Sequence, residues 1–186
     1  SLYIKTYKTS TLKKLFIFLL FVPSFSFGQN DFQFSKDIKY YGKDFFILEG
    51  TLIPESLKEN RYDRLPISYK EIVRKPVWDL SKSSAGMSIR FISNSKSINV
   101  KWEILNDLKM NHMAETGIKG IDLYFKNKDY WQYINTGRPV GIINESCLID
   151  NMTNKMREFK IFLPLYDGIE NIEVGIDSNS IIQKPS

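Results

Sequence analysis

The chain has 186 residues, 42% of them hydrophobic and 14% aromatic, enough for one ordinary domain with a real core. Its formal net charge is +5, but residues 1–28 hold four lysines and no acid, leaving 22 basic against 21 acidic residues beyond them. That near-balance removes the clustered positive charge on which nucleic-acid binding depends, and a single cysteine, Cys147, excludes an internal disulfide framework.

In chain order, residues 1–28 read as a secretory signal peptide. Lys5, Lys8, Lys13 and Lys14 form a basic start, "LFIFLLFV" an apolar run, and Ser26 and Gly28 a small-residue cleavage signal. The apolar run is too short to cross a ~30 Å hydrocarbon core as a helix. No cysteine follows the cut to carry a lipid anchor, so no stable membrane insertion is expected once the signal is removed. The style of the signal points to a bacterial exported protein, periplasmic or extracellular.

Residues 29–64 form a lead-in in which "FFILEGTLIP" holds one edge strand ended by Pro54. From Leu65 the pattern becomes β. "MSIRFI" alternates; in "SINVKWEI", Ile98, Val100, Trp102 and Ile104 face one side and Asn99, Lys101 and Glu103 the other. "IDLYF" sets Ile121, Leu123 and Phe125 on one face, "KNKD" turns the chain, and "YWQYIN" begins the partner strand. "EFKIFLPL" alternates through Phe159, Ile161, Leu163 and Leu165; "YDGIE" carries an Asp-Gly turn signal; "NIEVGI" closes with Ile172, Val174 and Ile176. No stretch after residue 28 shows an amphipathic helix. Short strands between polar turns predict an all-β antiparallel sandwich over 65–178. Residues 179–186 read as the start of a linker.

Catalytic machinery is sparse. A serine or cysteine hydrolase needs a base beside its nucleophile, and His112 is the only histidine, with no aspartate three residues before it and no G-x-S-x-G anywhere. "GIDS" at 175–178 ends a strand with no helix pattern behind it. One histidine and one cysteine are too few for a zinc site, so neither metal nor cofactor is expected. Glu103 and Asp122 lie on polar strand faces with nothing to pair them. Cys147, between Ser146 and Leu148, reads as a small buried hydrophobe, and His112 as a packed or hydrogen-bonded loop residue. Trp102 belongs to the core side of its strand; Trp78 and Trp131 are further candidates for stacking on a sugar, and Arg138 in "NTGRP" for holding a carboxylate.

"GIDLY" (Gly120 to Tyr124) matches a G-x-D-L-Y motif, and it sits within an ordered series: "RLP", "VWDLSKSSAGMSIRF", "VKW", "MNHMAETGIKGIDLY", "REFKIFLPLYDGIENIEVGI". From Leu65 to Ile176 the chain is similar to the N-terminal domains that precede SGNH (GDSL-like) hydrolase domains. The resemblance implies a jelly-roll-like sandwich, similar to carbohydrate-binding modules, that leans on a C-terminal catalytic domain of the same parent chain. In that family the nucleophilic serine and its Asp-His pair belong to the domain that follows, so no catalytic residue is expected in this chain.

On this reading Gly117 and Gly120 allow a turn or a close backbone approach before a strand. Asp122 holds a loop through backbone N–H groups or reaches the neighbouring domain. The loop "NHMAETG" is the candidate for touching an acylated, carbohydrate-type substrate or the catalytic domain. The residues singled out are His112, Met113, Thr116, Asp122 and Tyr124. The expected function is that of a non-catalytic accessory domain of a secreted SGNH-type esterase. A stand-alone glycan-binding module and an exported structural or adhesion sandwich are the alternatives.

Overall fold

The computed structural model describes residues 37–186; the signal-peptide reading of 1–28 lies outside them. Ten strands follow in chain order: β1 (Ile38–Tyr41), β2 (Ile47–Glu49), β3 (Ser88–Ser93), β4 (Ile98–Ile104), β5 (Ile121–Asn127), β6 (Tyr130–Gly137), β7 (Ile143–Ile149), β8 (Arg157–Phe162), β9 (Ile169–Asp177) and β10 (Ile182–Gln183). Two short helices interrupt them, α1 (Lys75–Ser81) and α2 (Glu115–Lys119).

The strands form two sheets, one in the order β1-β9-β4-β7, the other β10-β3-β8-β5-β6 with β2 also paired to β3. Every pairing is antiparallel. The chain is therefore the all-β sandwich expected from the alternation. The sandwich is wider in sequence than 65–178: β1 and β2 come from the lead-in and β10 from 179–186. Among the described residues no helix is long and apolar enough to cross a membrane.

The core lies between the sheets. From β4 come Ile98, Val100, Trp102 and Ile104; from β9 Ile172, Val174 and Ile176; from the facing sheet Ile89, Phe91, Ile121, Leu123, Phe159 and Ile161, all essentially without solvent contact. Each such side chain stabilises the fold by roughly 1.5–3 kcal/mol through removal from water. Period-two alternation delivers these residues to one side of each strand.

Several expectations need correction. The outer side of β4 is not uniformly wet: Asn99 is buried, its amide donating to Ser97 Oγ at 3.4 Å. Leu165 does not continue the β8 alternation, since β8 ends at Phe162 and Leu165 is exposed. Cys147 is half-buried on β7 rather than fully enclosed. Helices exist, but each is too short for a 3.6-residue periodicity to show. In α1, Pro76 sits in the first turn, where its missing N–H costs nothing.

Candidate functional site

The G-x-D-L-Y motif occupies the passage from α2 into β5. Gly120 follows α2, and its N–H closes the last turn onto the Thr116 carbonyl at 3.1 Å. A Cβ at Gly120 would collide with that same carbonyl and lie 3.1 Å from the Gly137 carbonyl. The glycine is required for space, at φ −74°, not for left-handed backbone. Gly137 on β6 works in concert: a Cβ there would come within 2.8 Å of Ile121 and 3.0 Å of Trp102. Two glycines thus let α2, β5 and β6 close over the Trp102 ring.

Ile121 and Leu123 point into the core, and Asp122 and Tyr124 point out. Asp122 does not hold backbone N–H groups as expected; its carboxylate accepts from Thr136 Oγ1 at 2.5 Å, across the pairing Asp122↔Thr136. Thr136 Oγ1 is also 2.9 Å from Tyr133 Oη. Residues 133 and 136 would face opposite sides of a regular strand. A register shift between Leu123 and Tyr124 inserts Ile134 as an extra residue on β6, and the bulge brings both side chains to the outer face. Tyr124 packs edge-on against Tyr133 (centroids 5.5 Å) and Phe162 (5.3 Å).

These groups border a shallow cleft of about 410 Å³ lined by Thr116, Tyr133, Asn135, Thr136 and Arg138. The structure therefore brings Thr116 and Arg138 together, with Asp122 behind Thr136 and Tyr124 behind Tyr133. It does not bring His112 or Met113 into the cleft. His112 is exposed, its Nδ1 3.1 Å from Asn111 Oδ1. Met113 is half-buried and lies against Gly117. Trp78 is buried beneath Lys82 Nζ, 4.4 Å from its ring. Trp131 lies half-buried under Lys160 Nζ at the same distance.

Two buried charges fix the segment leading into the cleft. Asp167 is fully buried and accepts from the backbone N–H groups of Asn106 (3.0 Å), Leu108 (3.1 Å) and Gly168 (2.8 Å). Lys119 is buried to its tip and pairs with Asp107 and, at 3.1 Å, with Glu115. Burial alone would push the Lys119 ammonium down, but the hydrogen bonds to Asp107 and Glu115 prevail and hold it above the ordinary lysine value. The hydrogen bond from Lys119 in turn keeps Asp107 below the usual aspartate range. Sequence reasoning missed Lys119, Tyr133, Asn135, Thr136 and the role of Asp167. "GIKG" and "YDG" were visible only as a motif block and a turn.

Chemically the cleft offers hydroxyls, a carboxamide and a guanidinium. It can hydrogen-bond a hydroxylated or carbonyl-bearing group and neutralise an anion. No histidine or cysteine stands beside its hydroxyls, and among the described residues no group of three His, Cys, Asp or Glu is placed to hold a metal ion.

The profile of the GxDLY family, the N-terminus of SGNH-hydrolase-type esterases, matches residues 38–182. The chain belongs to this family. Among solved structures the GxDLY domain is similar to a protein from Bacteroides ovatus ATCC 8483 described as a GDSL-like lipase. The two are 29% identical with a TM-score of 0.75, over 81% of this chain and 44% of that one. A salicylyl-acyltransferase of a tetracycline biosynthetic pathway, SsfX3, shares the fold at 11% identity and a TM-score of 0.57, over 82% of this chain and 43% of that one. The GxDLY domain thus spans less than half the length of either. No match was found among curated proteins.

Proposed function

We propose that the chain acts as the non-catalytic N-terminal accessory domain of an exported SGNH-type ester hydrolase. It rests against a C-terminal catalytic domain of the same parent and presents the Thr116–Arg138 cleft to an acylated, carbohydrate-type substrate. The observation that carries this reading is the cleft itself: in a GxDLY domain, the motif's aspartate is spent on Thr136, which with Tyr133 and Arg138 forms a polar, solvent-open recess without a nucleophile–base pair. Such a recess can orient a substrate by hydrogen bonds but cannot activate a nucleophile. The half-length match to the Bacteroides ovatus protein is what an accessory half would give. His112 and Met113 stand outside the cleft, on the loop before α2, and are assigned contact with the catalytic domain instead.

The test is p-nitrophenyl acetate hydrolysis by this chain and by the parent extended through its next domain. Turnover only in the extended form is expected, and with an acetylated oligosaccharide as substrate Arg138→Ala raises KM roughly threefold to tenfold while stability stays within about 0.5 kcal/mol. Turnover by the short chain, abolished by changing His112, would refute the accessory role.

A stand-alone glycan-binding module is the second reading. It is favoured by Tyr133, half exposed at the cleft, where an aromatic face can stack on a sugar. Glycan-array binding by the short chain, lost in Tyr133→Ala, would support it.

A further inference from the structure

Among the described residues four lysines are largely withdrawn from solvent; Lys160 has Glu49 at 2.9 Å. Lys119 has Asp107 and Glu115. Lys82 has Glu59 and Asp63, each at 2.6 Å. Lys58, 8% exposed, has no carboxylate among the described residues. Its Nζ donates to Thr51 Oγ1 (2.9 Å) and the Arg61 carbonyl (3.3 Å), which leaves one of three N–H donors unspent. Burial pushes the Lys58 ammonium down, and Asp63, the acid whose charge offsets this most, draws it back only in part. A cation kept from water without a counter-charge is costly. In the same molecule three other lysines show how such a cost is normally met.

Lys58 opens onto a groove of about 380 Å³ on the β2 side of the sandwich, away from the G-x-D-L-Y cleft. Arg61 and Lys184 also line it, and Glu55 is its one lining acid. That carboxylate is already shared between Lys43 and Arg61, each at 3.1 Å. Arg61 Nε is buried without an acceptor among the described residues, while its guanidinium lies over the Phe46 ring at 5.8 Å. That edge of the guanidinium is closed to solvent, so only its outer nitrogens face the groove. The apolar side of the groove is Ile53, Pro54 and the fully exposed Leu52, above a Phe46 ring that is itself buried in the core. The groove therefore combines surplus positive charge, one Lys58 N–H without an acceptor among the described residues and a hydrophobic side, at a size suited to a small ligand.

We propose that this groove is a binding site for a small organic carboxylate, its anionic head between Lys58 and Arg61 and its short apolar tail against Leu52 and Ile53. Three cations against one already paired acid favour an anion, and the apolar walls give a tail an advantage over an inorganic anion. The site is independent of the esterase reading, since none of its residues lines the Thr116–Arg138 cleft.

Calorimetric titration of the 186-residue chain with sodium butyrate, butyramide and inorganic phosphate, at constant ionic strength, tests it. Saturable butyrate binding in the millimolar range is expected, with butyramide and phosphate weaker by roughly tenfold or more. Lys58→Met, which keeps the apolar stem, should remove butyrate binding, and Lys75→Met, on exposed α1, should not. Should Lys58→Met fail to fold, amide chemical-shift changes in the wild-type chain must fall within Thr51–Arg61 and around Lys184. Non-saturable butyrate binding, butyramide or phosphate binding as tightly as butyrate, full affinity in folded Lys58→Met, or shifts elsewhere would each overturn the proposal.

Discussion

Gly120 shows how one absent side chain governs the motif. It closes α2 onto the Thr116 carbonyl and sits against the carbonyl of Gly137, so any Cβ must push backbone against backbone. Overpacking of this kind costs about 1–3 kcal/mol. Gly120→Ala is expected to lower stability by that amount in urea unfolding. Gly141→Ala, where a Cβ meets nothing within 4 Å, should change it by less than about 0.5 kcal/mol. Equal effects at the two positions would remove the steric account. At this scale the sequence announced Asp122 but not its partner. Thr136 lies 14 residues away, and its meeting with Asp122 and Tyr133 depends on the bulge at Ile134, which leaves no trace in hydropathy.

Among the elements, the segment from β4 to β5 is held by ions as well as by the buried Ile118. Lys119 is enclosed, whereas Asp107 and Glu115 are partly open to water. The three positions therefore should not respond alike. Replacing Lys119 by Met frees two carboxylates that water can solvate; replacing both acids by amides leaves a buried ammonium without a counter-charge. Asp107→Asn combined with Glu115→Gln is expected to lower Tm by roughly 5 °C or more, and Lys119→Met by less than half of that. The reverse ranking would show that Lys119 is exposed in solution. Element by element, legibility followed the division of labour. β3, β4, β5, β8 and β9 were readable because hydrophobes alternate along them. β7 was not: its buried Asn144 is polar, its side chain bonded to the backbone of Val140 (2.7 Å), Gly141 (2.9 Å) and Ile142 (3.3 Å). A residue that satisfies a turn breaks the pattern that identifies a strand. β1 and β10 are too short to carry a pattern at all.

Across the whole molecule the chain crosses between the two sheets several times, and Asp177 at the end of β9 holds the crossing where β3 passes into β4. Its carboxylate accepts from Ser95 Oγ and Ser97 Oγ, both at 2.9 Å, and from the Lys96 N–H at 2.8 Å. Burial would raise the Asp177 pKa, but the hydrogen bonds from Ser95, Ser97 and Lys96 outweigh it and keep it below the ordinary aspartate value of 3.8. A depressed folded-state pKa means the unfolded chain takes up the proton first. The stabilisation is therefore complete above the unfolded value and is lost as pH falls through the folded one. Asp177→Asn should lower Tm at neutral pH, and the two unfolding curves should converge below about pH 4. Parallel curves down to pH 2 would show that Asp177 has no such role. The sandwich was legible as a whole because its core is redundant, many strands repeating one alternation. The cleft and the Lys58 groove were not, since each gathers residues from distant segments.

Cys147 sits on β7, the outermost strand of its sheet, half covered and with its thiol pushed up by burial and by the nearby Asp150. A thiol held in its protonated form reacts slowly while β7 lies against β4. Because half of the side chain is already open to solvent, alkylation of this thiol has a basal rate of its own; only the part that mild denaturant accelerates counts how often the border strand peels away, and so gauges how securely the sandwich guards its rim.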